Sequence, residues 1–110
     1  MKKVNRLLKN RDFKNVLDNK KSVANKEYVI YIKKNEVNRA RIGISVSSKL
    51  GNSVVRHRIK RQINEMLKDI IDINNNVDIV VIVRNKYLFN KYIDNEISIQ
   101  LLLFKLLKGE

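Results

Sequence analysis

A cluster of basic side chains stands where the sequence predicts the start of a helix. The run Arg56–Arg61 contains three arginines, a lysine and a histidine, and it follows Gly51–Ser53, which is typical of a strand end and a helix N-cap. Cations in the first turns of a helix are disfavoured by about 0.3–1 kcal/mol each, because this is the positive end of the helix dipole. A phosphate reverses that balance, since free backbone N–H groups, the dipole and guanidinium groups all attract an anion. The pattern therefore predicts a site that binds the phosphate backbone of a nucleic acid.

A second interpretation treats the same helix as an ordinary solvated, charged face. Arg61 and Glu65 have the i,i+4 spacing of a helical ion pair, and so do Lys68 and Asp72. Such pairs account for the later positions of the helix. They leave the arginines of its first turn unexplained, so we favour phosphate binding.

Three carboxylates on one side of this helix suggest a third interpretation, a protein-only nuclease. Glu65, Asp69 and Asp72 could together hold Mg²⁺, but basic residues nearby are expected to pair with them. His57 is the only histidine and cysteine is absent, which excludes multi-histidine and thiolate metal sites and cysteine nucleophiles. The sequence also contains no P-loop, HExxH or GxSxG motif. We therefore expect no catalytic residue and no metal site in the protein, and assign any chemistry to its partner.

The charge of the whole chain points to a polyanionic partner. Its 110 residues include 24 Lys and Arg against 11 Asp and Glu, a formal net charge of +13. Nucleic acid is the partner class that best compensates such a charge, ahead of an anionic membrane surface, and no small-molecule substrate is expected. There is no apolar run of the ~18 residues that a membrane helix needs. The basic N-terminus is followed by no apolar stretch, so we predict no secretory signal and a cytoplasmic protein.

Hydrophobic periodicity predicts one α+β domain, 1–110, with a small mixed sheet, helices, a basic arm over residues 1–9 and the order α-β-β-α-β-α. A helix over 10–17, capped by Asn10, carries Phe13, Val16 and Leu17 on one face. A strand over 28–33 leads through a hairpin at 35–38 to a strand over 40–47, and the basic helix follows. Residues 77–83 read as a strand covered on both faces. The last helix spans 93–108, and its predicted inward face is Ile93, Ile97, Leu101 and Phe104.

Two predicted strands leave a shallow surface on the side away from their apolar faces. Tyr28, Ile30 and Ile32 share one face of the first strand, so Val29 and Tyr31 lie on the other. Gly43, Ser45 and Ser47 form the corresponding small, polar face of the next strand. An extended nucleic-acid strand could lie there against an aromatic ring, with Phe13 as one wall. The alternative interpretation is an ordinary solvated sheet face, and for Phe13 the alternative role is that of a core residue.

The segment 42–63 resembles the signature of the bacterial ribonuclease P protein subunit family. The family's Arg-Asn-Arg, apolar residue, Lys-Arg pattern appears as Arg56–Arg61, preceded by Ser45-Val46-Ser47 and Lys49-Leu50-Gly51-Asn52. Leu8–Phe13 and Val77–Arg84 match two further elements, so the resemblance covers nearly the whole chain. Four positions depart from the pattern: His57 replaces an Asn, Ser48 a common Lys, Asn64 a common Arg, and Leu17 a frequent second aromatic of the cleft.

The resemblance implies a function as well as a fold. In this family an RNA is the catalyst, which removes the 5′ leader from precursor tRNA with Mg²⁺ bound mainly by the RNA. The protein binds that RNA and contacts the leader in a cleft of its sheet, and the fold contains a left-handed β-α-β crossover, against the general rule. A ribosomal or ribosome-assembly RNA-binding protein remains the alternative. The expected RNA-binding residues are Lys49, Asn52, Arg56, His57, Arg58, Lys60, Arg61 and Lys68, and the expected cleft residues are Phe13, Leu17, Tyr31, Ser45 and Ser47.

Overall fold

The computed structural model describes Arg6, residues 9–68 and residues 76–108. These residues form three α-helices, four strands and two short 3₁₀ helices. In chain order they are α1 (Asn10–Asp18), β1 (Ser22–Ala24), β2 (Tyr28–Lys34), β3 (Arg41–Ser45), a 3₁₀ helix (Ser48–Leu50), α2 (Ser53–Leu67), β4 (Val77–Val83), a 3₁₀ helix (Asn85–Phe89) and α3 (Tyr92–Lys108).

The strands form one mixed sheet in the order β1-β2-β4-β3. β1 and β4 both pair antiparallel to β2, whereas β3 pairs parallel to β4. β4 is apolar except for Asp78 and has a neighbour on each side, and all its residues but Ile82 are buried. This confirms the strand predicted to be covered on both faces. The connection β3–α2–β4 joins two adjacent parallel strands as the crossover requires; its left-handed sense stays a prediction.

The main core lies between one face of the sheet and the helices α2 and α3. Alternation along β2 places Tyr28, Ile30 and Ile32 on this face with no exposed surface. Helix α2 turns its apolar side to this core, and its buried residues are Ile59, Ile63, Met66 and Leu67. Burial of the Tyr28 ring is compensated at its hydroxyl, which donates to the backbone carbonyl of Asn95 at 2.9 Å.

Helix α1 covers the opposite face of the sheet with a smaller apolar cluster. Val16 and Val80 are buried at its centre, and Phe13, Leu17, Tyr31 and Ile82 pack around them half-buried. The predicted face of α1 is thereby confirmed. Its predicted cap is wrong, because Lys9 occupies the N-cap position without a side-chain bond and Asn10 is the first helical residue.

Two predictions about the sheet are wrong. The short strand β1 was missed, since three residues are too few to show an alternating pattern. Residues 35–38 do not close a hairpin, because β4 lies between β2 and β3. They do form a turn: the Asn35 side chain accepts from Val37 N at 3.1 Å and donates to Arg39 O at 2.9 Å. The chain then crosses to the far edge of the sheet rather than returning beside β2.

The predicted inward face of α3 is also wrong. Its four residues are largely exposed, from 49% at Ile97 to 66% at Leu101. The helix is apolar nearly all round, so periodicity could not decide which face meets the sheet. Tertiary packing buries the neighbouring stripe instead, formed by Asn95, Ile99, Leu102, Leu103 and Leu106.

Several sequence predictions lie outside the described residues. They concern most of the basic arm and the carboxylates Asp69 and Asp72 after α2. Within the described ranges, no helix is both long enough and apolar enough to cross a membrane.

Candidate nucleic-acid interface

The predicted cleft lies on the α1 side of the sheet. Register places Tyr31, Val80 and Gly43 in one row across β2, β4 and β3, and Val29, Ile82 and Ser45 in the next. Tyr31 and the small residues of β3 therefore share a face as predicted, but they are not neighbours. The valine and isoleucine of β4 separate them and form an apolar floor.

Phe13 reaches from α1 to β3 and lies directly against Gly43. A Cβ atom on Gly43 would stand 2.8 Å from the ring atoms Cε1 and Cε2 and closer still to Cζ. Only glycine leaves room for the ring in this position. Phe13 is half-buried, so one part packs on the sheet and another remains open to solvent. The ring thus combines the two roles considered for it, a core contact and a wall of the groove.

The loop before α2 is built to start the helix. Gly51 has φ 152°, which L side chains rarely adopt, and a Cβ there would also run against Val55 at 2.8 Å. The Asn52 side chain accepts from Val55 N at 3.0 Å and caps the helix. Ser47 lies beyond the end of β3, where its hydroxyl accepts from Lys49 N at 3.2 Å. Asn52 and Ser47 therefore shape the loop, and Lys49 is exposed on it.

The basic residues of α2 are presented to solvent from its first turns. His57, Arg58, Lys60 and Arg61 are all exposed. Arg56 is half-buried, and its Nε atom is buried without a hydrogen-bond partner among the described residues. A buried guanidinium donor without an acceptor costs free energy.

A groove of about 470 Å³ joins the two predicted sites. Phe13 and Gly43 contribute from α1 and β3, and three of the predicted RNA-binding residues, His57, Lys60 and Arg61, contribute from α2. An apolar, aromatic wall therefore faces a cationic wall across one continuous depression. Tyr31, Leu17, Ser45 and Lys68 do not line this groove; the first two pack around α1 farther along the sheet.

A network of charged side chains links α1 to β3 beside this groove. Arg41 donates from Nε and Nη2 to the two carboxylate oxygens of buried Asp78, each at 2.7 Å. Asn35 donates to the same carboxylate at 2.8 Å, and Asp12 of α1 lies 3.7 Å from Arg41 Nη1. Hydrogen bonding to Asp78 raises the pKa of Arg41. The network is assigned a positioning role because its charges are paired with one another.

Of the three carboxylates of the nuclease interpretation, only Glu65 lies in the part of the chain described. Glu65 pairs with Lys68 at 2.7 Å, an i,i+3 contact, whereas the solvated-face interpretation pairs it with Arg61. Over Arg6, 9–68 and 76–108, no group of three or more His, Cys, Asp or Glu side chains could hold a metal ion.

Sequence reasoning missed several members of the groove, among them the cation Arg6. It pairs as an isolated parallel bridge with Ile42 on β3 and lines the groove. Its place in the basic arm was visible in the sequence, but its pairing with β3 depends on a long-range contact.

The fold and the groove together define a class: a small, basic α+β protein whose interface suits RNA. The family model of ribonuclease P matches residues 1–107, and this chain belongs to that family. It is an RNA-binding protein component of ribonuclease P, an endoribonuclease that acts in tRNA processing. The ribosomal alternative is not favoured.

Relatives support the assignment over nearly the full length. The ribonuclease P protein component of Alkaliphilus oremlandii is 41% identical over 107 residues, covering 96% of this chain and 94% of that protein. A Staphylococcus aureus RNase P protein mutant with defective mRNA degradation activity is 37% identical, with a TM-score of 0.87 and coverage of 96% and 90%. The Thermotoga maritima RNase P protein is 30% identical, with a TM-score of 0.75 and coverage of 88% and 94%.

Proposed function

We propose that this protein binds the 5′ leader of precursor tRNA along the α1 side of the sheet, from the groove between α1 and α2 to Tyr31, while the exposed face of α2 holds the ribonuclease P RNA. The observation that carries the proposal is the shared groove, in which Phe13 faces Lys60 and Arg61. A single strand needs both features, since its bases stack on aromatic rings and its phosphates attract cations. The cytoplasm is the proposed location.

The proposal places the cleavage chemistry in the RNA subunit, with Mg²⁺ bound mainly by that RNA. The protein then contributes positive charge, which lowers the repulsion between the phosphates of two RNAs brought together. Its effect on cleavage is therefore expected to be largest at low Mg²⁺. Precursor tRNA should be cleaved by the RNA with the protein at low Mg²⁺, and not by the protein alone. Cleavage by RNA-free protein that Glu65→Gln abolishes would favour the nuclease interpretation instead.

Leader binding is tested with Tyr31→Ala. Loss of one stacking partner weakens binding of a single strand by about 1–3 kcal/mol. We expect that loss for precursor tRNA with a leader of several nucleotides, measured by titration with the reconstituted holoenzyme. Leaderless tRNA and the ribonuclease P RNA should bind as they do to wild type. Phe104→Ala, an exposed aromatic on α3, is the matched control and should change none of the three affinities.

The same titrations can contradict the proposal. Equal losses for all three ligands would show that Tyr31 acts through the fold. Unchanged affinity for every ligand, with an unchanged thermal melt, would place the leader elsewhere on the surface.

A further inference from the structure

A second concavity lies on the other flank of α2, away from the groove just described. It has a volume of about 300 Å³ and is enclosed by α2, the 3₁₀ helix Asn85–Phe89 and the start of α3. This volume is at the lower end of the range for small-ligand sites. Arg58 and Gln62 line it from α2, and Tyr87, Asn90 and Tyr92 line it from the other side. Apart from Arg58, none of the residues expected to bind RNA or the leader lines this corner pocket.

Hydrogen bonds hold the walls of the corner pocket in place. The Tyr87 hydroxyl donates to Gln62 Oε1 at 2.7 Å and so ties the 3₁₀ helix to α2. Asn95 is 2% exposed and donates to the Tyr87 carbonyl at 3.0 Å. Asn90 donates to Asn95 Oδ1 and to Glu27 Oε2, both at 3.0 Å. A pocket fixed in this way requires little reorganisation when a ligand enters.

The lining of the corner pocket suits a nucleobase better than a bare phosphate. Tyr92 lines the pocket and is 40% exposed, which leaves part of its side chain available for stacking. The bonds just described leave the amide N–H groups of Gln62 and the side-chain oxygen of Asn90 available, and these match an acceptor and a donor on the edge of a base. Unpaired RNA bases are recognised by this combination of an aromatic or guanidinium plane and edge hydrogen bonds.

Arg58 places one positive charge in the lining of the corner pocket. Arg58 lies close enough to the Tyr87 hydroxyl to oppose the rise in the pKa of Tyr87 that burial causes. The nearby carboxylates of Glu65 and Glu27 are engaged, the first with Lys68 and the second with Ser98 and Asn90. Glu96 is a further carboxylate close enough to act on Tyr92. Burial first, and then the charges of Glu96 and Glu65, raise the pKa of Tyr92, so its hydroxyl stays protonated and able to donate.

We propose that the corner pocket binds one unpaired base of the ribonuclease P RNA, stacked on Tyr92 beside the Arg58 guanidinium. The RNA subunit is the source because Arg58 belongs to the helix face assigned to that RNA, so the pocket continues the same interface. The inference rests on the proposed function only for that assignment of α2. Precursor tRNA as the source of the base is an alternative outcome of the test.

The test compares Tyr92→Ala, Tyr92→Phe and Phe104→Ala in binding to ribonuclease P RNA and in chemical probing of its unpaired nucleotides. Tyr92→Ala should bind about 5- to 150-fold more weakly, since stacking of one base is worth about 1–3 kcal/mol and 1.4 kcal/mol corresponds to tenfold. It should also lose protection of one unpaired nucleotide. Tyr92→Phe keeps the ring and should retain that protection, and Phe104→Ala should behave as wild type.

Several outcomes would overturn the inference. Wild-type affinity and protection with Tyr92→Ala would show that the pocket binds no base. Equal losses with Phe104→Ala would show a nonspecific effect of apolar truncation. Weaker binding confined to precursor tRNA would assign the base to the substrate. If Tyr92→Ala has a lowered melting temperature, Tyr92→Leu is tested in its place. Wild-type affinity of the folded Tyr92→Leu variant for ribonuclease P RNA would equally rule out stacking. In every Tyr92 variant, the affinity for precursor tRNA should still depend on the length of the leader. Failure of this inference can therefore be distinguished from failure of the leader proposal.

Discussion

Gly43→Ala should drive Phe13 off the sheet, because the new methyl group would occupy the place of the ring. Its Cβ would stand 2.8 Å from two ring carbons, whereas carbon atoms pack at about 3.5–4.0 Å. The ring must therefore retreat by about 1 Å or turn toward solvent. Overpacking of this kind costs about 1–3 kcal/mol. For 110 residues, each kcal/mol lowers the melting temperature by about 4 °C, so we expect a fall of about 4–12 °C.

A double-mutant cycle shows whether this cost arises at Phe13. Phe13→Ala alone should destabilise, since it removes a half-buried ring from the α1 cluster. In the Phe13→Ala background, however, Gly43→Ala should cost much less, because the obstructing ring is gone. We expect a coupling energy of at least about 1 kcal/mol from urea unfolding of the four proteins. Costs that add to within about 0.5 kcal/mol would refute the close contact between Phe13 and Gly43.

Two further predictions concern charge. Arg58→Ala should weaken binding of ribonuclease P RNA and reduce the slope of log affinity against log salt concentration by about one unit. Lys26 is an exposed cation in the β1–β2 turn, and Lys26→Ala should change neither quantity. Wild-type slopes for alanine variants of Arg56, Arg58 and Arg61 alike would mean that this helix face is only solvated. Burial raises the pKa of Glu27, but hydrogen bonds from Ser98 and Asn90 outweigh it and lower that pKa below its ordinary 4.5. The contribution of Glu27 to stability is therefore complete above pH 4.5 and is lost as pH falls through the lowered pKa. Urea midpoints of Glu27→Gln should accordingly depend less on pH in that acid range than those of wild type, and parallel curves would show that Glu27 does not titrate in this way.

The features predictable from the sequence are those encoded by short-range patterns. Alternation along β2 separates Tyr31 from the buried Tyr28, and the 3.6-residue period of α2 separates its basic side from Ile59 and Ile63. The N-cap at Asn52 is equally local. These three patterns suffice to predict that a basic helix and an aromatic sheet face belong to one binding surface.

The features that escaped prediction all depend on contacts between distant segments. Insertion of β4 between β2 and β3 determines that Val80 and Ile82 separate Tyr31 from Gly43, and no local pattern specifies it. The buried face of α3 is decided by packing, because Ile97 and Ile99 are equally apolar in the sequence. The corner pocket is hidden for the same reason: it forms where Tyr92 meets a helix about thirty residues upstream.

The position of α2 explains why cations are tolerated in its first turns. One flank of the helix borders the groove at Phe13, and the other borders the corner pocket at Tyr92, so its exposed ridge stands between two concavities. An RNA chain bound on the ridge would neutralise Arg58 and Arg61, and it could place unpaired bases to either side. In the free protein these charges repel one another at the positive end of the helix dipole. RNA binding should therefore stabilise the fold, and the repulsion between these cations lowers stability only when the RNA is absent.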